Sequence, residues 1–464
     1  MARLLTTLRS SRASVPSARP LSFRSYSVAS NNSNNGASLG PKPSAEPNEA
    51  TVGTEIDTPA VAPVQIAAKH TIVPFRKGNV PYLHTLLRDG CKCPQCVDQH
   101  SKQRSFRLSD IPANIKPRSA KFDGTKLEIQ WKNDIPGFDP NHTSVYHQRT
   151  LRQPSANFQY FTSGHRRKRT LWGKPLMSQK QHWISYNDYV NDEAKFAAAM
   201  RDLASTGLLF VKDIPDSREM VEKIATRMGP LRNTFYGATW DVRTVPQAKN
   251  VAYTSQYLGF HMDLMYMNEP PGFQLLHCLQ NSCDGGQSLF ADAFFVAEKL
   301  QREDPDAFET LSNFQVAYEY NHSEHVYSNE WPIFERYRDR KSKQWRLLHA
   351  NYSPPFQAPI YGRMRSAKYT ETGVKALKKF ADMLEDESNI FELKLNPGEC
   401  VIFENRRVLH ARRQFNMATG QRWLAGAYVD EDALLSTFAV MSRKHRDVWQ
   451  QTGRRDNGDE QGEE

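Results

Sequence analysis

The chain has 464 residues, of which 39% are hydrophobic and 11% aromatic, enough for a large core divided between two domains. No apolar run approaches the roughly 20 residues that span a bilayer, so no membrane partner is expected. The formal charge of +10 invites a nucleic-acid partner, but five arginines fall within the first 24 residues; without them the balance is +5 and a phosphate-binding groove loses its support.

Those arginines (Arg3, Arg9, Arg12, Arg19 and Arg24) sit among many serines, and no acidic residue precedes Glu46. This is transit-peptide composition. Arg24-Ser25-Tyr26-Ser27 looks like a matrix-protease site, so residues 1–26 are expected to direct the chain to the mitochondrial matrix. Residues 27–68, rich in Asn, Ser, Pro and Ala, read as a disordered linker. A small β-rich module is expected over 69–151, where the alternation of Lys126–Trp131 marks a strand. Residues 152–182 contain Arg166-Arg167-Lys168-Arg169 and read as a basic, solvated linker. A second domain over 183–445 mixes helix and strand. It has helical apolar spacing over 193–203, a buried strand over 207–212, and a helix with Met220, Val221, Ile224 and Met228 that stops at Gly229. Segments 391–395 and 400–403 flank Asn396-Pro-Gly-Glu399 and read as a hairpin leading towards His410. Residues 446–464 read as an acidic, disordered tail.

Cys91, Cys93 and Cys96 form a tight C-x-C-x-x-C. Three thiolates at this spacing suit one tetrahedral Zn2+ with a histidine as fourth ligand, a closed and therefore structural site. His100, His142 and His147 are the candidates for that fourth place, and spacing alone leaves the choice open. Cys278, Cys283 and Cys400 read as ordinary buried thiols.

The second chemical signal is His261-Met262-Asp263, joined far downstream by His410. On a strand, His-x-Asp puts both side chains on one face. Two imidazoles and one carboxylate make the facial triad of non-haem Fe(II) oxygenases, which leaves three octahedral positions for co-substrate and O2.

Long stretches around these motifs resemble the γ-butyrobetaine dioxygenase family of Fe(II)/2-oxoglutarate oxygenases, over about 71–445. They are Leu87-Arg-Asp-Gly-Cys-Lys-Cys-Pro-Gln-Cys96, Thr234-Phe-Tyr-Gly-Ala-Thr-Trp240, Asn250-Val-Ala-Tyr-Thr254, Phe260-His-Met-Asp263, Pro270-Pro-Gly-Phe-Gln-Leu-Leu-His-Cys278 and Arg422-Trp-Leu-Ala-Gly-Ala-Tyr428. The resemblance implies a mainly β fold with α decoration, a double-stranded β-helix (jelly-roll) oxygenase domain preceded by a small β-rich zinc-binding domain. It also implies His142 as the fourth zinc ligand, iron on His261, Asp263 and His410, and Arg422 on the distal carboxylate of 2-oxoglutarate.

Tyr236, Trp240, Tyr253 and Tyr428 match family positions around a trimethylammonium group, which aromatic faces recognise because it cannot donate hydrogen bonds. Asn250 and Asn351 are the matches for the substrate carboxylate. The implied reaction is hydroxylation of γ-butyrobetaine to L-carnitine, with decarboxylation of 2-oxoglutarate to succinate and ascorbate as reductant. A homodimer is the implied assembly. Trimethyllysine hydroxylation, or oxidation of another small ammonium or sulfonate substrate, is the enzymatic rival, and a catalytically silent zinc-dependent scaffold is the non-enzymatic one. Two departures bear on the substrate: Leu264 stands where a further cage tyrosine is usual, and Asn351-Tyr-Ser-Pro-Pro-Phe356 differs from the family's Asn-rich strand.

Overall fold

The computed structural model describes residues 63–76, 78–151, 168–243, 254–339, 343–360 and 366–450. The N-terminal module contains two three-stranded antiparallel sheets. One is Gln65–Ile66, His70–Phe75 and Gly78–Leu83; the other is Pro117–Phe122, Lys126–Trp131 and Thr143–His147. The period-two pattern of Lys126–Trp131 works as expected: Leu127, Ile129 and Trp131 turn inward and are essentially inaccessible. They pack with Val73, Leu87, Phe106 and Tyr146 into a core separate from those of the second domain. Gln65–Ile66 is a strand where the end of a linker was expected.

The oxygenase domain is built on two antiparallel sheets. The larger runs in the order Trp183–Ser185, Leu208–Lys212, Cys400–Glu404, Phe273–Asn281, Arg422–Val429, Thr239–Arg243, with only the first pair parallel. The smaller runs Leu258–His261, Val408–Arg412, Ser288–Asp292, Phe391–Leu393. Strand alternation assigns each face of the large sheet its partner. Leu208, Phe210, Val401, Phe403, Leu276 and Leu424 point at Phe290 and Phe391 of the small sheet. Leu209, Val211, Ile402, Leu275 and Ala425 point outward onto helices Glu193–Thr206, Met220–Met228 and Glu431–Lys444. Each such side chain contributes about 1.5–3 kcal/mol by leaving water, so the two faces together fix the strand register. This is a jelly roll with helical decoration, as expected.

Three sequence expectations need correction. Segments 391–393 and 400–404 do not pair as a hairpin; they belong to different sheets. The turn between them, with Gly398 at φ +80°, is a corner that carries the chain from one sheet to the other. Both strands are apolar because Phe391 meets Val401 and Phe403 across the core, a pattern that local spacing cannot tell from a ladder. The linker expected over 152–182 does not extend through its second half. Trp172 is 1% exposed, Lys174–Lys180 is helical, and Arg169 forms an ion pair with Glu404. The expected tail begins with a short helix, Arg446–Gln450, whose Trp449 packs on the helical layer. Among the described residues no helix is long and apolar enough to cross a membrane.

Candidate active site

His261 and His410 lie opposite one another on adjacent antiparallel strands. The pairing slips between Leu258 and His261, so that three steps on one strand match two on the other. This bulge re-aims His261, because under strict alternation Leu258 and His261 would face opposite ways, yet both line one cavity. The rings are 4.1 Å apart between centroids. His261 Nδ1–H donates to the Gly259 carbonyl at 2.8 Å, which leaves Nε2 as its ligand atom, 3.5 Å from Asp263 Oδ1. Burial, the largest influence on both, pushes the two imidazoles towards their neutral, ligating form. His410 Nδ1 is buried with no hydrogen-bond partner among the described residues.

Asp263 is not on the strand, which ends at His261. It sits in the following turn, closed by a hydrogen bond from Met267 N–H to the Leu264 carbonyl, and Leu264 itself is left-handed at φ +61°. For a non-glycine residue that conformation costs about 1–2 kcal/mol. Two contacts fix the turn: Asn405 bonds both backbone groups of Asp263, and Tyr428 Oη–H donates to Asp263 Oδ2 at 2.6 Å. One ligand atom from each of His261, Asp263 and His410 lies within 4.8 Å of the others, a spacing that fits a single metal ion.

The cavity beside this triad is open to solvent and, with that open space included, spans about 840 Å3. Two guanidinium groups, Arg422 and Arg412, are in its wall. Arg412 bonds the carbonyls of Thr254 and Gln256, and Arg422 Nε is buried without a hydrogen-bond partner among the described residues. Burial lowers Arg422 to about 10, still cationic at neutral pH. Burial and the charge of Arg422 lower Arg412 to about 9. Aromatic rings of Tyr236, Trp240, Tyr266, Phe356 and Tyr428 also line the cavity. Trp240 stacks on Tyr428 at 4.0 Å, and Gly426, directly across the ladder from Trp240, makes room for the indole: a Cβ there would fall on its Cε2 and Cζ2.

In the N-terminal module the sulfur atoms of Cys91, Cys93 and Cys96 lie 3.6, 3.3 and 3.5 Å from His142 Nε2. Ligands at about 2.3 Å (S) and 2.1 Å (N) around a tetrahedron stand about 3.5 Å apart, so this cluster fits a zinc site. His142 Nδ1 bonds Asp134 at 2.6 Å, and Arg88 bridges Asp134 to Cys96. A carboxylate behind the imidazole is the usual support of a ligating histidine. His100 and His147, the other candidates, are exposed.

Residues 172–428 match the family described as "Taurine catabolism dioxygenase TauD, TfdA family". The chain belongs to that family. It is a 2-oxoglutarate-dependent dioxygenase, and Fe(II) is the family's metal. Residues 67–152 match a second model, "Gamma-butyrobetaine hydroxylase-like, N-terminal". Similar curated proteins include Dioxygenase str8 of Strobilurus tenacellus, 34% identical over 75% of this chain and 82% of that protein. The γ-butyrobetaine dioxygenase of Pseudomonas sp. (strain AK-1) is 30% identical over 83% and 98%, respectively. Human mitochondrial trimethyllysine dioxygenase is 28% identical over 76% and 81%.

Within this family frame, the structure brings Tyr236, Trp240, Tyr428 and Arg422 into one cavity with His261, Asp263 and His410. Asn250 and Tyr253 lie outside the described residues. Asn351 does not line the cavity. It is fully buried, its Oδ1 accepts from Arg406 at 2.6 and 3.1 Å, and its Nδ2 donates to the Pro332 carbonyl at 2.8 Å. The amide is thus committed within the fold, and the expected contact with a substrate carboxylate gives way. Tyr266, Phe356, Arg412, Asn405 and Gly426 were not singled out in sequence. Tyr266, three residues past Asp263, could have been noticed; the others are recognisable only from contacts between distant segments.

Proposed function

We propose that this dioxygenase hydroxylates γ-butyrobetaine to L-carnitine, with iron held by His261, Asp263 and His410. The observation that carries the reading is one cavity in which Tyr236, Trp240 and Tyr428 stand beside that triad, with Arg422 also in its wall. Aromatic faces attract a quaternary ammonium by about 0.5–2 kcal/mol each. A buried guanidinium is suited to the distal carboxylate of 2-oxoglutarate, which a bidentate pair both binds and orients. Held by His261, Asp263 and His410, iron would supply O2 activation, by which one oxygen atom would go to succinate, with loss of CO2, and the other into the substrate C–H bond. The protein's own contribution is positioning. The aromatic wall holds the cationic end, so one methylene is presented to the triad, and the apolar lining (Leu258, Leu264, Leu276, Phe290, Leu424) limits water there. The Cys91, Cys93, Cys96 and His142 cluster would bind structural zinc and hold the N-terminal module together.

Trimethyllysine is the second reading. It is favoured by the engagement of Asn351 with Arg406, which removes one proposed anchor for a short substrate's carboxylate; Leu264 in the cavity wall favours neither substrate. The presequence-like composition of the N-terminus supports a mitochondrial matrix location in either case. The test is incubation of purified protein with Fe(II), ascorbate and 2-oxoglutarate, offering γ-butyrobetaine and trimethyllysine in parallel and following products by mass spectrometry. Carnitine from the first substrate alone supports the proposal. Hydroxytrimethyllysine alone transfers the protein to the second reading, and succinate with neither product removes both substrates.

A further inference from the structure

Tyr428 takes part in two different structures at once. Its ring forms part of the cavity wall, stacked on Trp240 at 4.0 Å. Its hydroxyl reaches Asp263 Oδ2 at 2.6 Å, while the other oxygen, Oδ1, is the one that lies 3.5 Å from His261 Nε2. The side chain is 2% exposed, and Arg232 N–H holds the Tyr428 carbonyl at 2.9 Å, so the phenol has little freedom to turn away. Of the two groups the phenol carries the proton and the carboxylate only accepts, so the hydroxyl is the donor. A hydrogen bond from a hydroxyl to a carboxylate in such surroundings is short and strong.

A carboxylate beside a metal can bind through one oxygen or both. If Asp263 used both, it would occupy a fourth position and crowd the three that co-substrate and O2 require. We propose that the Tyr428 hydroxyl is a positioning group: by engaging Oδ2 it leaves Asp263 only Oδ1 for the metal and couples the substrate-facing aromatic wall to a metal ligand. This rests on the reading of His261, Asp263 and His410 as the iron ligands, and it is independent of which substrate is hydroxylated. Apart from the approach of Oδ1 to His261 Nε2, the other described contacts of Asp263 go to its backbone, so Tyr428 is the residue through which Oδ2 is controlled.

Tyr428→Phe keeps the ring and removes only the hydroxyl. The experiment is anaerobic Fe(II) titration of the full, zinc-loaded protein, together with the visible absorption of its complex with Fe(II) and 2-oxoglutarate. In Tyr428→Phe the Fe(II) affinity should fall about tenfold or more, the usual effect of losing a ligand's supporting partner. The absorption band should shift, whatever happens to KM for the ammonium substrate. Trp240→Phe is the contrast: it should raise that KM and leave Fe(II) affinity and the band unchanged. An unchanged Fe(II) affinity and band in Tyr428→Phe overturns the proposal, whatever happens to KM. A wild-type protein that binds no Fe(II) at this site removes the iron reading and the proposal together, and is distinguished because it needs no variant.

Discussion

Asn405 grips Asp263 by its backbone: Asn405 Oδ1 accepts from the Asp263 N–H at 2.9 Å, and Asn405 Nδ2 donates to the Asp263 carbonyl at 3.0 Å. The same Nδ2 also donates to the Pro271 carbonyl at 3.0 Å, and the residue is fully buried. It thus holds the turn in which Leu264 is left-handed, and does so from the segment that leads into the His410 strand. Asn405→Ala would orphan these groups at a cost of about 1–3 kcal/mol in unfolding free energy. It should also lower kcat/KM about 10–100-fold through a misplaced Asp263. Denaturant melts and steady-state kinetics check both. A stable, fully active variant would show that the turn holds itself.

Gly426→Ala places a methyl group against the Trp240 indole of the aromatic wall. The indole must shift away from residue 426, and the affected contact is with substrate rather than with 2-oxoglutarate. The expected result is a substrate KM raised about tenfold, equivalent to about 1.4 kcal/mol, with the 2-oxoglutarate KM nearly unchanged. Equal increases in both would place the damage in the fold instead.

Arg422→Ala should do the reverse. A buried cation that meets a carboxylate bidentately is not replaced by a shorter side chain or by lysine's point charge. The KM for 2-oxoglutarate should rise at least about tenfold in Arg422→Ala, with a smaller rise in Arg422→Lys, as expected for losing a charged hydrogen-bonded pair. Succinate release as a function of 2-oxoglutarate concentration reads this directly. Saturation at the wild-type concentration would assign the distal carboxylate to Arg412.

Asp134→Asn tests the zinc reading without touching a ligand. The amide keeps a contact to His142 but withdraws the charge that supports its imidazole. Zinc affinity should fall about 10–100-fold. Competition with a colorimetric chelator measures the change, and the N-terminal module should melt earlier when zinc is limiting. Unaltered zinc retention would make the Arg88–Asp134–His142 chain a matter of packing alone.

The features legible in sequence are those written in short intervals. Cys91, Cys93 and Cys96 fall within six residues, His261 and Asp263 within three, and the strand Lys126–Trp131 carries its own alternation. Features made by distant segments left no local trace. Asn405 and Asp263 are separated by 142 positions. Gly426 shows its purpose only beside Trp240. The misread hairpin at Asn396–Glu399 has the same origin, since a jelly-roll corner and a hairpin share turn chemistry and apolar flanks. Asn351 was drawn into the substrate site by resemblance, and the neighbouring Arg406 decided otherwise.

Glu335 gives a pH prediction. It pairs with Arg406 and His349, each at 2.9 Å. Burial works against its charge, but these two partners prevail and hold its carboxyl down at about 2, against an ordinary 4.5. A depressed carboxylate stabilises the fold above its unfolded value and loses that contribution as pH falls towards the folded one. Wild type should therefore exceed Glu335→Gln in stability by up to about 3 kcal/mol at neutral pH. The gap should close between pH 4.5 and about 2. Urea melts across that range check it, and a gap independent of pH would remove the ionic explanation.

The facing histidines carry one more consequence. Because His261 and His410 are neighbours in a single backbone ladder, their separation is set by the sheet before any ion arrives. Such a preassembled triad has little scope to choose among divalent ions by shape, so affinities should follow the Irving–Williams series, with Ni2+ and Cu2+ above Fe2+. Iron then occupies the site because of what its surroundings supply, not because the protein prefers it. Traces of nickel or copper should act as reversible poisons, and a metal-rich preparation can look inactive with every residue in place.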